Sequence, residues 1–183
     1  ALPISEEKGI HFLIEAYKEL KTDKKLVIAG ATSDTDGYVK MLKEMAGDDP
    51  NIIFTGFVSG KLLEEIYSNA YVYVLPSKLE GMPLSLLEAM SYGNCVIGSD
   101  IAEIADVVED KAILFKKANV EDLKEKLQMV CDDVELVEKY KSEASGYICG
   151  RYNWEDVVER TLDVYRGKKS CKEFVEKNSV ASV

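Results

Sequence analysis

The sequence predicts a doubly wound α/β fold, a parallel sheet with helices on its faces, closed at the carboxyl end by further helices. Two observations predict it: short, fully apolar runs alternate with longer runs of helical periodicity, and after Phe115 the pattern turns purely helical. Residues 26–29, 51–54, 71–75, 95–97 and 112–115 each read as a buried strand, apolar on both faces. Between them, Ile10, Leu13, Ile14 and Tyr17 recur at i, i+3, i+4, i+7, and Leu62, Leu63, Ile66, Tyr67 and Ala70 repeat that logic. Such alternation demands parallel strands joined by right-handed crossovers. Beyond Phe115, three apolar stripes follow: Val120, Leu123, Leu127 and Val130; Leu136, Val137 and Tyr140; Trp154, Val157, Val158 and Tyr165. Gly146, Gly150 and Asn153 punctuate them, which predicts two or three closing helices. Residues 1–166 thus form one domain, and 167–183, rich in Lys, Ser and Asn, read as a frayed polar tail. Only residues 1–4 stand before the first helix as a possible first strand, so the chain reads as a domain cut from a longer protein.

Composition narrows the function. At 183 residues the chain can bury a full core without disulfides. With 23 basic against 33 acidic side chains, its net charge of -10 repels phosphodiester backbones and anionic lipid, which disfavours nucleic acid or a membrane surface as a partner. No apolar run approaches the roughly 18 residues of a membrane span, and the amino end lacks the basic start and apolar stretch of a secretion signal. Cys95, Cys131, Cys149 and Cys171 form no CxxC pair, so they read as reduced thiols of a cytoplasmic protein.

Doubly wound sheets bind ligands at the carboxyl ends of their strands, in the loops that enter helices. The third strand runs into Pro76-Ser77-Lys78-Leu79-Glu80-Gly81-Met82-Pro83, and a helix from Leu84 to Tyr92 follows. Pro83 suits the first turn of that helix, because it gives up an N–H that would lack a partner anyway. Gly81 lets main chain approach a ligand. Free N–H groups and the positive end of the helix dipole then offer an anion site, a local source of positive potential in an acidic chain. Glu80 lies in the loop, and Glu88 shares a narrow polar stripe with Ser85 and Tyr92 on an otherwise apolar helix. Either acid alone reads as solvated. As a pair flanking the Gly-x-Pro turn they read as acceptors for sugar hydroxyls.

The string Glu80-Gly81-Met82-Pro83-Leu84-Ser85-Leu86-Leu87-Glu88-Ala89-Met90 resembles the E-x7-E signature of retaining glycosyltransferases of family four, the glycosyl transferases group 1. Pro76-Ser77, Gly93 and Val96-Ile97-Gly98-Ser99-Asp100 are similar as well, as are Glu7-Lys8-Gly9-Ile10, the run from Leu26 to Gly30, and Asn51 through Gly56-Phe57-Val58. The likeness spans most of residues 6–165. It implies the carboxyl-terminal half of a GT-B enzyme, a Rossmann-like domain that binds a nucleotide-diphosphate sugar, UDP-hexose before GDP-hexose, opposite a missing amino-terminal acceptor domain. By that resemblance Glu80 would touch hydroxyls of the transferred sugar, amides of Gly81, Met82, Pro83 and Leu84 would hold the diphosphate, and Glu88 would bind the ribose. Lys8 would neutralise diphosphate charge, Gly30 would allow close approach to the donor, and main chain near Phe57-Val58 would receive the base. The implied reaction needs no metal and no other cofactor: it retains configuration by same-face attack, with Glu80 not a nucleophile, and moves the sugar to a saccharide or lipid-linked acceptor. The isolated domain would transfer little, since the acceptor must be held against the donor.

The sequence departs from the family where an arginine precedes the lysine, for residues 1–7 hold no basic side chain. That keeps open a second reading, a non-catalytic nucleotide- or sugar-nucleotide-binding module of the same fold. A receiver-type phosphoacceptor ranks lower, because Phe54-Thr55-Gly56 stands where its aspartate would be needed. Asp34-Thr35-Asp36 reads as turn and cap chemistry rather than a metal-bearing D-x-D. Gly30 and Gly37 make no dinucleotide fingerprint, and no G-K-[ST] is present. His11, the only histidine, reads as a surface or capping residue. Ser77 and Ser85 lack a nucleophile elbow, Tyr71 and Tyr73 read as strand packing, and Asp100 with Glu103 reads as a capping box.

Overall fold

The structure is a computed structural model that describes residues 4–31 and 36–167. A 3-10 turn (Glu6–Lys8) leads into α1 (Ile10–Lys18), β1 (Leu26–Ala29), α2 (Asp36–Ala46), β2 (Ile52–Gly56), α3 (Gly60–Asn69) and β3 (Val72–Leu75). Then come α4 (Leu84–Ser91), β4 (Cys95–Ser99), α5 (Ala102–Val108), β5 (Ile113–Phe115), α6 (Val120–Asp132), α7 (Val134–Arg151) and α8 (Trp154–Tyr165). All five expected strands are present and all their pairings are parallel. The chain divides into two compact units, Ala1–Ile148 and Cys149–Val183. All but the first residue of the expected polar tail, 167–183, and three of the four residues of the possible first strand lie outside the described residues. The fourth, Ile4, is buried and donates its N–H to the Ala31 carbonyl at 2.9 Å.

In the larger unit β1 pairs with β2, Leu26 opposite Ile52 and Ala29 opposite Gly56, with a register shift after Ile28. β4 lies between β3 and β5, Val72 opposite Cys95 and Ile97 opposite Ile113. Among the described residues the ladder is interrupted between β1 and β3, which gives two parallel sheets where one was expected. Helix α1 packs on both. Leu13 and Ala16 pack with Ile97, Phe115, Leu123 and Val130, whereas Ile14, on another face, packs with Ile28, Leu42 and Ile52. One amphipathic helix thereby joins both sheets through side chains, across an apolar cavity of about 770 Å³ walled by β1 and β3.

The helical end departs from expectation in one respect. α7 runs without a break through both Gly146 and Gly150, whose positions were expected to separate helices. Burial of Val137, Ala144 and Ile148 along one side holds the helix, so packing overrides a propensity deficit of about 1 kcal/mol per glycine. In the second unit α8 is capped by Asn153, whose side chain accepts from the Glu155 N–H at 2.8 Å, and its stripe of Trp154, Val157, Val158 and Tyr165 is exposed.

Gly146 is exposed within α7, and a Cβ built there meets nothing within 4 Å. Gly146→Ala should therefore raise stability by about 0.5–1 kcal/mol. Urea denaturation should show a higher midpoint at unchanged slope; an unchanged or lowered midpoint would refute this account of α7.

Candidate functional site

The loop after β3 is held by the 3-10 turn that precedes α1. The Lys78 N–H donates to the Glu7 carbonyl at 2.7 Å, and the Lys78 ammonium pairs with Glu6 at 3.0 Å. Gly9 joins turn to helix in the left-handed region (φ 65°), and a Cβ there would stand 2.1 Å from the Pro76 carbonyl oxygen. Only glycine lets the turn settle so closely on the loop. Settled there, Lys8 places its Nζ 2.7 Å from Glu80 Oε1, and Ser77 Oγ donates to the same oxygen at 2.6 Å. The Glu80 side chain is 6% exposed and that of Lys8 21%, so the pair is shielded from most solvent screening. The Ser77 carbonyl in turn accepts from Ser99 Oγ at 2.5 Å, which ties the loop to the end of β4. Among the described residues no donor is bonded to Glu80 Oε2.

Helix α4 begins at Leu84, with Pro83 as its N-cap rather than its first helical residue. The Leu84 N–H is taken by the Met82 carbonyl at 2.8 Å, and the Pro83 carbonyl accepts from Leu86 and Leu87. The expected anion-binding run of Gly81, Met82, Pro83 and Leu84 is corrected accordingly. Proline has no N–H to give, and that of Leu84 closes a tight turn. Among the described residues the N–H groups of Gly81, Met82 and Ser85 carry no such bond.

Glu88 lies one turn into α4 and is exposed. Its Oε2 accepts from the Tyr67 hydroxyl at 3.2 Å. Tyr73 is more than strand packing, since its hydroxyl donates to Ser85 Oγ at 2.8 Å. Burial raises the pKa of both phenols far above the ordinary value, and the Glu88 charge adds to the shift at Tyr67, so both remain donors across the working pH range.

The remaining predicted residues sit apart from this pair. Gly30 follows β1, buried, with its N–H on the Gly56 carbonyl at 3.0 Å, beside a hollow of about 450 Å³ that Lys40, Lys43 and Phe54 also line. Val58 follows β2 with its side chain buried, while the neighbouring Phe57 is exposed. Lys8 and Ser85 line the larger cavity and Gly30 the smaller; Glu80 and Glu88 line neither. The structure therefore brings Lys8, Glu80, Gly81 and Met82 together, and leaves Gly30 and Val58 at the ends of the other sheet.

Two other readings are settled by geometry and a third is not. Asp100 does not cap α5, whose N-cap is Ile101; its carboxylate accepts instead from the Lys117 N–H at 2.7 Å and steadies the loop after β5. Asp34 and Thr35 of the D-x-D lie outside the described residues. His11 has a partner, the Tyr38 hydroxyl 2.8 Å from its Nδ1, which ties α1 to α2. Sequence reasoning missed Ser77 and Tyr67 as site residues. A small polar residue three before Glu80 was a usable signal for the first; the second was hidden in an apolar stripe.

Fold and site together define a Rossmann-like α/β domain of GT-B type, with a charged pair that joins the strand-to-helix loop after β3 to the turn before α1. The chain belongs to the glycosyl transferases group 1 family, whose profile matches residues 3–145. It is 29% identical over 167 residues to an uncharacterised glycosyltransferase of Methanocaldococcus jannaschii, covering 89% of this chain and 43% of that protein. It is 25% identical over 168 residues to the alpha-D-kanosaminyltransferase of Streptomyces kanamyceticus, with the same coverage of 89% and 43%. The chain thus spans less than half the length of these relatives. Among solved structures it is similar to HepE of Anabaena in complex with UDP and glucose, with TM-score 0.84, 18% identity, and coverage of 91% of this chain and 47% of that one.

Two outcomes follow from this geometry. Gly9→Ala should lower stability by about 2–4 kcal/mol, the sum of a left-handed backbone and a clash with main chain. Denaturant unfolding measures it, and a loss below 0.5 kcal/mol, a threshold of about the size of an ordinary surface substitution, would show that the turn does not rest on Pro76. For His11, burial first and the Lys78 charge second depress the pKa below the usual 6.5. The unfolded chain then binds more protons than the folded one just below pH 6.5, so stability is lost as pH falls through that window. The slope should be absent in His11→Gln; an identical pH profile of the two proteins would contradict the assignment.

Proposed function

We propose that residues 1–166 form the donor-binding domain of a retaining, metal-independent glycosyltransferase that moves a hexose from a nucleoside diphosphate to a saccharide or lipid-linked acceptor. The carrying observation is the Lys8–Glu80 pair, 2.7 Å apart and mostly buried, at the amide-bearing start of α4. Membership of the family supports transfer chemistry, and the Anabaena protein crystallised with UDP, and with UDP-glucose, supports UDP as the nucleotide.

In this reading the diphosphate lies on the N–H groups of Gly81, Met82 and Ser85 and takes a second bond from the Lys8 ammonium. An ammonium has three donors, of which Glu80 uses one. Breaking the anomeric bond leaves negative charge on the departing diphosphate, which fixed amides, the helix dipole and Lys8 stabilise without Mg²⁺. Glu80, anchored at Oε1, turns Oε2 to hydroxyls of the transferred sugar. A carboxylate held by an ammonium and a hydroxyl is a poor nucleophile, which favours same-face attack assisted by the leaving phosphate. Glu88 takes the ribose hydroxyls, and main chain around Gly30 and Val58 receives sugar and base. An amino-terminal acceptor domain supplies the other wall of the cleft, in the cytoplasm; no described helix is long and apolar enough to cross a membrane.

Calorimetric titration with UDP, GDP and ADP, with and without Mg²⁺, tests the proposal. One nucleotide should bind, insensitive to the metal, and Glu88→Ala should weaken it at least about tenfold, as expected for loss of a charged hydrogen bond. Absence of binding by folded protein to all three would defeat the reading.

A further inference from the structure

Glu88 stands on an exposed helix face, and a free glutamate there samples many rotamers. A carboxylate that must meet two vicinal hydroxyls gains from being held in one. The structure supplies the holder on a different element. Tyr67 closes α3 with its ring 8% exposed, stacked on Tyr92 (centroids 5.4 Å apart, planes at 17°) and tilted against Tyr73 at 6.0 Å. Its main chain is fixed as well. The buried Asn94 amide donates to the Tyr67 carbonyl and to the Ala89 carbonyl, each at 2.9 Å, locking the end of α3 to α4. Ring and backbone are therefore set before the hydroxyl reaches α4. There it has two acceptors, the Ser85 carbonyl at 3.4 Å and Glu88 Oε2 at 3.2 Å. The single proton goes to the nearer, charged oxygen.

We propose that Tyr67 is the positioning residue for Glu88: its hydroxyl, carried on a packed ring at the end of α3, selects the carboxylate rotamer that receives the ribose diol. The inference rests on the donor-site reading, in which Glu88 meets the ribose. Tyr67 touches no substrate in this arrangement. It occupies one oxygen, Oε2, and the other, Oε1, carries no side-chain bond among the described residues. Burial keeps the phenol protonated, so the donor is present throughout the pH range in which a carboxylate is charged.

The test compares whichever of UDP, GDP or ADP binds this chain with its 2′,3′-dideoxy analogue. In the wild type the analogue should bind about 10- to 100-fold more weakly, the range expected for charged hydrogen bonds. Tyr67→Phe keeps the ring and its stacking. It should reduce that ratio to about threefold or less by weakening the natural nucleotide, with the analogue unchanged, because a charged bond is again lost. A merely structural role would weaken both ligands alike and leave the ratio, and that result overturns the proposal. Glu88→Gln separates the two layers. If it abolishes the ratio while Tyr67→Phe preserves it, the positioning role fails and the donor site stands. If the wild type binds no nucleotide, or shows no ratio, or Glu88→Gln leaves the ratio intact, the donor-site reading fails and takes the proposal with it. One readout is independent of any variant: side-chain couplings of Glu88 in the wild-type protein should report a single rotamer, and rotamer averaging would overturn the proposal.

Discussion

The ion pair between Lys8 and Glu80 joins segments 72 residues apart, and the site depends on it. Neither side chain could be placed by its own element. Lys8 ends a three-residue 3-10 turn, and Glu80 lies in a loop, both too short to be rigid alone. Each is fixed by the other and by the main-chain bond from Lys78 to Glu7. In a mostly buried setting, removing one partner leaves a charge without its counter-ion, which costs about 3–5 kcal/mol and exceeds what an exposed pair contributes. Gly9 is the backbone condition for this contact, because any side chain there would push the turn off Pro76. Sequence, local conformation and site chemistry thus meet in residues 8 and 9.

Much of the fold was legible because burial and period agree. Strands such as Cys95–Ser99, buried at every position, left no polar alternation to confuse with a surface element. The split between β1 and β3 was not legible, since both strands read as fully apolar whether they pair with each other or face a cavity. Gly146 and Gly150 misled for a related reason. A local propensity of about 1 kcal/mol is weak against a helix face that packs. At the site, the spacing of Glu80 and Glu88 was visible as a motif, but their partners were not. Ser77 and Tyr67 meet them only after the chain has folded, and Leu84 lost its N–H to a turn that no residue pattern announces.

The two acids also differ in kind, and this bears on what each can do. Glu80 is enclosed and bonded to a cation and a hydroxyl, so its charge is balanced before any ligand arrives. Glu88 is exposed and bonded to one neutral donor, so its charge is uncompensated and its solvation is readily exchanged for ligand hydroxyls. An enclosed, paired carboxylate suits orientation close to the bond that breaks. An exposed one suits recognition at a distance from it.

In the donor-site reading a chain of net charge -10 must still attract a diphosphate, and global charge cannot do that. The attraction has to be local. At about 10 Å a Debye screen at ordinary ionic strength already removes most of the field from scattered surface acids. The loop offers the Lys8 ammonium, amides at the start of α4 and the helix dipole, against Glu80, whose charge Lys8 already offsets, and against Glu88 one turn further along the helix. What remains at the amides themselves is a local positive surplus built from backbone rather than from side chains. Such a surplus discriminates by shape: it rewards an anion whose oxygens match the spacing of the N–H groups and offers little to others. In that reading acidity elsewhere repels polyanions that a basic site would collect, and the overall charge and the backbone site act together as one selectivity device.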